Sequence, residues 1–572
     1  MNASWLFLLA LAVLGPACAG SGGAIGACAE APAADSNDVR LVLQITVDGL
    51  RGDLLRRYGD RFSEGGFRHL LDTGAVYANA HYRHANTETI VGHATLATGA
   101  SPAEHGMIGN VWFDRAAGEL AYNIEDPESP ILPTREHMAE GAQVDPAQKR
   151  SRTKGRSPRA ILATTFGDEL FQHTAGRAKV FGIGGKDRSA VAMAGHVGKA
   201  FWYSTDTGDF LTSGFYYDAY PEWATRWNAQ RQAEARAGEA WTLLEDSSTY
   251  LLGDRDDRPY ETDLNGYGRI FPHAFGPSDH PLFFTRLLVS PVGDQLTADF
   301  AKALVTSEGI GQDAVPDYLS ISFSGVDAVN HFFGPSSLEN EDVVRQLDRT
   351  LADLLAFLDE AVGLEHTLIV LSADHGMPEM PEAMAAAGLR VGRLGPEDIL
   401  GRAKQVALEH TGVADVVSSF FRPYLYLDRE RIEATGRDPD EVEQAVAAAL
   451  TDTDGIALAV ARSELPTLAD TDLVGRVRRN THPSRSGDIY IAQEPYWFIQ
   501  EPGPIAVMHG SPWRYDTYVP IVFAGPGIGP RTIHRLVHPI DVAPTLASYL
   551  GLKPPSSAVG TPLEEVLPRV SR

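Results

Sequence analysis

Four times along the chain a short apolar run, rich in β-branched residues, ends on a polar or charged side chain and gives way to a helical stretch. The runs are "LVLQITVDG" reaching Asp48, "AKVFGIGGKDR" reaching Lys186 and Arg188, "DYLSISFSGVD" reaching Asp327, and "HTLIVLSADHG" reaching Asp374 and His375. "YVPIVFAGPG" is a fifth run of the same kind. Strands that are apolar throughout, rather than alternating, are buried on both faces, and alternation with helices makes the sheet parallel. The expectation is an α/β fold: a mostly parallel sheet between helices. In such sheets ligands sit beyond the carboxyl ends of the strands, so the polar residues closing each run converge on one edge.

Two regions depart from the pattern. Residues from about 190 to 290 are rich in aromatics, Gly and Asp with weak periodicity, which predicts loops and short strands capping the sheet. Residues 379–505 contain the helix-like "DEVEQAVAAAL" and the strand-like "RPYLYLD" and "GIALAVA", which predict a small α+β insertion. The core is then residues 38–378 together with 506–567, a size consistent with one large domain of a 572-residue chain carrying insertions.

The first 29 residues have the form of an export signal. An apolar run from Trp5 to Leu14 is too short to span a bilayer, and Ala-Cys-Ala triplets follow it, with cleavage expected after Ala29. "AIGAC" also fits a loose lipoprotein box, which would place a lipid anchor on Cys28. Export implies a periplasmic or secreted protein. Both cysteines, Cys18 and Cys28, fall in this segment, so the remaining chain has neither a disulfide nor a thiolate ligand, and any metal must be held by His and carboxylates. No later segment is long and apolar enough for a transmembrane helix. The net charge of −26 argues against nucleic acid as a partner, and an anionic substrate would need a local cationic site.

The stretch "NTETIVGHATLATGA" offers two threonines, Thr87 and Thr89, beside a Gly-His step. A neutral threonine hydroxyl is a poor nucleophile unless something removes its proton and stabilises the oxyanion. "DAVNH" spaces Asp327 and His331 four residues apart, one helical turn, as two ligands of one metal require. "SADHGM" exposes Asp374 and His375 where the backbone must turn, and Asp48 closes an apolar strand where a carboxylate needs a partner. With His509 in "VMHGSP", three Asp and three His form a donor set suited to two divalent ions such as zinc.

The blocks "VDGLR", "TETIVGHATLATGASPAEHGMIGN", "SFSGVDAVNHFFGP", "SADHGM" and "MHGSPWRYDTYVPIVFAGPGI" resemble, in order and spacing, the metal-binding and nucleophile blocks of the alkaline phosphatase superfamily, over residues 40 to 565. The resemblance implies Thr89 as nucleophile, also touching metal, with Thr87 a neighbour. It implies one zinc held by Asp327, His331 and His509 and another by Asp48, Asp374 and His375. Two such ions, about 4 Å apart, would lower the pKa of the Thr89 hydroxyl and stabilise the leaving oxygen.

"GGKDRSAVAMAGH" bears on the substrate. Lys186 and Arg188, two residues apart and on one face if extended, would suit the dianion of a phosphate monoester. This looks like the threonine-nucleophile bacterial alkaline phosphatases of the PafA and PhoK type, whose phosphate-binding Asn matches Asn110. The implied activity is hydrolysis of small phosphate monoesters through a phosphothreonine. Two alternatives stand beside it: a phosphodiesterase or nucleotide pyrophosphatase, which needs no Lys186–Arg188 pair, and a catalytically silent metal-binding periplasmic protein, which gives no reason for a hydroxyl at 89. "THPSR" mimics a sulfatase box but carries Thr where formylglycine needs Cys or Ser, and "GIGGKD" lacks the spacing of a P-loop. His81, His84, His93, His105 and His196 read as packing residues or as supports behind the ligands rather than as ligands, with His93, in the Gly-His step, the one best placed to orient the nucleophile loop.

Overall fold

The computed structural model describes residues 38–134, 144–500 and 504–568. The expected export signal, with Cys18 and Cys28, lies outside the described residues. Nine strands form one sheet: β1 (Leu41–Val47), β2 (Ala75–His81), β3 (Val180–Gly184), β4 (Lys199–Tyr203), β5 (Phe210–Leu211), β6 (Asp317–Phe323), β7 (Thr367–Ser372), β8 (Tyr518–Ala524) and β9 (Arg531–Ile533). Their spatial order is β9-β2-β8-β7-β1-β6-β3-β4-β5.

All five apolar runs are strands of this sheet. β7, β1, β6, β3 and β4 are parallel neighbours, with Leu41 of β1 in register with both Asp317 and Thr367. Every residue of β1 is buried. Leu41, Leu43, Ile45 and Val47 enter the core on one face and Val42 the core on the other, the physical reason for its unbroken apolar run. Gln44 breaks that run and accepts a hydrogen bond from the Tyr318 hydroxyl at 2.8 Å. Helices α1 (Thr89–Thr98) and α2 (Asp187–Ala194) contribute Leu96, Ala97 and Met193 to one layer. Helices α3 (Gly325–Phe333) and α4 (Leu338–Ala361) contribute Val326, Val329, Val343 and Leu347 to the other.

Three local expectations are corrected. β8 runs antiparallel to β7 and β2, so the residues before this strand, not after it, reach the carboxyl edge of the parallel block. The capping region begins later than about 190, because α2, β4 and β5 belong to the core. β4 is a short aromatic strand, "KAFWY", without the β-branched residues of the other runs. Lys186 and Arg188 are not on one extended segment: Lys186 is extended at the N-cap of α2 and Arg188 lies in its first turn.

Between β7 and β8, strands Val417–Phe421, Tyr424–Leu427, Ile456–Ala461 and Ile489–Gln493 make a four-stranded sheet. Helices Pro396–Thr411 and Pro439–Thr451 share an apolar cluster with it that includes Ile399, Leu425, Val446 and Ile491. No described helix is long and apolar enough to cross a membrane.

Candidate active site

Asp48 follows β1 in a turn where Gly49 has φ +73°, and a Cβ at Gly49 would lie 3.0 Å from the Asp327 Cα. Glycine thus allows both the left-handed turn and the close approach of the loops bearing the two carboxylates. Asp327 and His331 sit one turn apart on α3, Oδ2 to Nε2 at 3.1 Å. Asp374 and His375 follow β7, and His509 arrives ahead of the antiparallel β8.

The three imidazoles are oriented alike. Nδ1 donates to a backbone carbonyl in each: His331 to Val507 at 2.9 Å, His375 to Gly376 at 2.8 Å and His509 to Thr87 at 2.8 Å. Carbonyls only accept, so Nδ1 carries the proton and Nε2 is turned toward the carboxylates, the arrangement that holds ligand histidines in one tautomer. Two overlapping groups result, Asp327 with His331 and His509, and Asp48 with Asp327 and His375, each with donor atoms within 4.8 Å of one another. Asp327 therefore reaches both groups. Asp374 adjoins the second: its Oδ2 is 3.3 Å from His375 Nε2, while Oδ1 accepts the amides of Gly49 and His375.

Both oxygens of Asp48, Oδ1 of Asp327, Oδ2 of Asp374 and Nε2 of His375 are buried without a hydrogen bond. Buried polar atoms are almost always satisfied, so this concentration is what a divalent cation would relieve, and a set of carboxylates and imidazoles suits zinc-type ions. The Lys186 ammonium lies 2.8 Å from Asp48 Oδ2 and also contacts Asp327 Oδ2.

Burial and Asp327 push the Asp48 carboxyl up, but Lys186 and His375 outweigh them and hold it at about 2. Burial likewise works against Asp327, yet His331 and Lys186 keep it well below the usual carboxylate range. Burial and the neighbouring His375 press His509 well below an ordinary imidazole. Burial also lowers His375, but Asp374 and Asp48 carry it up to about 9. The directions for Asp48, Asp327 and His509 are those a metal ligand needs, whereas His375, and Asp374 raised by burial and by Asp48, would have to release a proton to a bound cation.

Thr89 opens α1 and is fully buried; Arg188 Nη2 donates to its hydroxyl at 3.4 Å. Thr87 plays another part, its hydroxyl donating to the Ser511 carbonyl at 2.9 Å while its own carbonyl receives His509. The plain residues after Thr89 have a packing reason. A Cβ on Gly92 would stand 2.0 Å from the Asp374 carbonyl oxygen, so only glycine lets α1 lie on the metal-type cluster. His93 joins the same elements, with Nδ1 at 2.8 Å from the Thr89 carbonyl and 3.2 Å from Asp374 Oδ2, and Nε2 at 2.9 Å from Ser322 Oγ. Asn110 accepts the Ile90 amide on Oδ1 at 3.1 Å. His105 hydrogen-bonds to the Thr95 hydroxyl at 3.2 Å, and His196 pairs with Asp168 at 2.9 Å.

Asn110, Lys186, Arg188, Asp327, His331 and His509 all line one cavity of about 1090 Å³. Sequence reasoning missed Asp145, which receives Arg188 Nη1 at 2.6 Å, and Arg422, which reaches in from the insertion to donate to the His509 carbonyl at 2.8 Å. Neither stands in a recognisable motif, and Arg422 belongs to a hairpin whose register alone brings it to the cavity.

Residues 42–512 match the family model for type I phosphodiesterase / nucleotide pyrophosphatase. The chain belongs to that family, within the alkaline phosphatase superfamily. Full-length relatives include alkaline phosphatase PafA of Elizabethkingia meningoseptica, 30% identical over 93% of this chain and 95% of its own. A Myroides odoratus protein bearing the name calcium-transporting ATPase is 33% identical over 92% of this chain and 94% of its own. The crystal structure of wild-type PafA superposes with a TM-score of 0.83 at 28% identity, covering 93% of this chain and 99% of that one.

Proposed function

We propose that the protein is an exported alkaline phosphatase that hydrolyses phosphate monoesters through a phosphothreonine at Thr89, using two zinc ions. One observation carries the reading: a buried threonine hydroxyl at a helix start is faced by the guanidinium of Arg188, which lines one cavity with Asp327, His331 and His509, members of two overlapping groups of metal-type donors. Asp327, His331 and His509 would hold one ion, and Asp48, Asp374 and His375 the other. Bound there, the zinc ions would supply Lewis acidity that lowers the Thr89 pKa and offsets charge on the leaving oxygen.

Thr89 Oγ attacks phosphorus as the bond to the leaving-group oxygen breaks, and water then releases phosphate from the threonine ester. Lys186, Arg188 and the Nδ2 of Asn110 hold the nonbridging oxygens, with Asp145 fixing the Arg188 fork so that Nη2 stays on the Thr89 side. His93 holds the first carbonyl of α1 against Asp374, keeping the nucleophile in register with the donors.

The family description favours a second reading, cleavage of diesters. The paired cations Lys186 and Arg188 at the cavity favour the monoester, whose dianion offers one more nonbridging oxygen. Rates on p-nitrophenyl phosphate and its bis ester decide: a monoester preference in zinc-replete protein supports the proposal, and a diester preference reverses it.

A further inference from the structure

The segment between β2 and α1, which leads to Thr89, is gripped by the insertion. Arg476 Nη1 donates to the Tyr82 carbonyl at 2.7 Å, Arg479 Nε to the Arg83 carbonyl at 2.8 Å and the Tyr490 hydroxyl to the Ala85 carbonyl at 3.1 Å. The Asn86 amide donates to Asn480 Oδ1 at 3.0 Å. Arg476, Arg479 and Asn480 belong to one helix, Asp472–Asn480, and their spacing puts all three on one face of it.

Asn480 differs from the others in reaching two segments. It is fully buried, and its Nδ2 donates to the Ile108 carbonyl at 3.2 Å and to the Tyr424 hydroxyl at 2.9 Å. Asn86 Nδ2 donates to the same Ile108 carbonyl at 2.9 Å and to Glu88 Oε2 at 3.2 Å. Glu88 Oε2 also accepts the Asn110 amide at 2.6 Å, and Asn110 Oδ1 in turn accepts the amide of Ile90, next to Thr89. These bonds close a ring: one arm runs from Asn480 through Asn86 and Glu88, the other through Ile108, and they meet at Asn110. A Cβ on Gly109 would stand 3.0 Å from Glu88 Oε2 and 3.1 Å from Asn86 Nδ2, so the two segments lie as close as glycine allows. Only a side chain with an acceptor on one side and a donor on the other serves the Asn86 amide and the Ile108 carbonyl together.

We propose that Asn480 is a positioning residue of the phosphoryl-transfer site, through which the insertion sets Thr89 and Asn110 relative to each other. The proposal rests on Thr89 as nucleophile and Asn110 as phosphate ligand. Asn480 acts through the backbone of Asn86 and Ile108, which lead into those two residues. A slip of one segment against the other moves the attacking oxygen away from the group that holds the phosphoryl oxygens, and small misplacements of this kind are costly in rate.

The test uses the full, zinc-replete chain, and measures kcat/KM for p-nitrophenyl phosphate, inhibition by inorganic phosphate and melting temperature together. Asn480→Ala should lower kcat/KM at least about tenfold and weaken phosphate inhibition with it. Asn480→Asp keeps the acceptor for the Asn86 amide but loses the donor to Ile108; it should show the same pattern, and it replaces the alanine variant if that one does not fold. In an Asn110→Ala background the Asn480 substitution should cost about threefold or less, because the two act as a unit. Val446→Ala supplies the comparison: it removes volume from the insertion's own apolar cluster, and should lower the melting temperature while kcat/KM stays within about twofold. Asn480 variants that, like Val446→Ala, lose only thermal stability would overturn the proposal, and so would a full loss of rate repeated in the Asn110→Ala background. Wild-type protein inert toward the monoester would end the phosphatase reading, and this proposal with it.

Discussion

Replacing Arg188 by Ala is the sharpest probe of the phosphoryl site. The guanidinium is buried, with Nη1 on Asp145 and Nη2 3.4 Å from the Thr89 oxygen that would become the attacking atom. Only the Nη2 side is aimed at the reacting centre, so the loss is that of one charge-assisted contact, about 1.5–3 kcal/mol. At about 1.4 kcal/mol per decade, kcat/KM for p-nitrophenyl phosphate should fall roughly 10- to 150-fold. The bis ester should lose much less, because it lacks one of the nonbridging oxygens the cation would hold. Inhibition by inorganic phosphate should weaken along with monoester turnover, while zinc content stays at two per chain. Asp145→Asn keeps the cation but loosens the fork, and should give a smaller loss in the same direction. The informative assay is the ratio of the two rates, measured at saturating zinc. Equal losses on monoester and diester would refute the reasoning: Arg188 would then shape the pocket through Asp145 rather than read the dianion.

Thr89→Ala should abolish most turnover with metal content unchanged, whereas Thr87→Ala should lower the melting temperature slightly and leave kcat nearly intact, since it is the Thr87 carbonyl that holds His509; reversed effects would overturn the nucleophile assignment. Chelation should remove activity and zinc restore it, and His331→Ala or His509→Ala should lose one ion while the other site stays partly filled, as metal analysis would read; full activity without metal would end the two-ion proposal. The hydrogen bond to Asp168, with the charge of that residue, raises the His196 pKa above its ordinary value despite burial. A raised folded-state value stabilises below the unfolded pKa of about 6.5 and is lost as pH rises through the folded one. The melting-temperature deficit of His196→Ala should therefore be larger at pH 6 than at pH 9, and a constant deficit would contradict the ion pair.

The strands and the helical spacing of Asp327 with His331 were legible in the sequence because each follows from a local rule. A run buried on both faces must be apolar throughout, as β1 is, and residues four apart share a helix face wherever the helix lies. The motif blocks pointed to Thr89 and the six donors, and the structure brings Asp48, Asp327, His331, His375 and His509 into two donor groups with Asp374 beside them. Several features depended on elements far apart in sequence. The direction of β8, which decides that His509 approaches from ahead of its strand, is set by its pairing with β7 and β2. That Asp327 serves both donor groups, that Thr87 offers a carbonyl where Thr89 offers a hydroxyl, and that Arg422 and Asp145 reach the cavity are contacts between loops, with no periodicity to announce them. The start of α2 between Lys186 and Arg188 belongs to the same class: extended spacing suggested one face, and it is the helix turn that aims Arg188 at Thr89. Local rules act through backbone geometry within a few residues, whereas burial and partner choice exist only once the packed layers enclose the side chains.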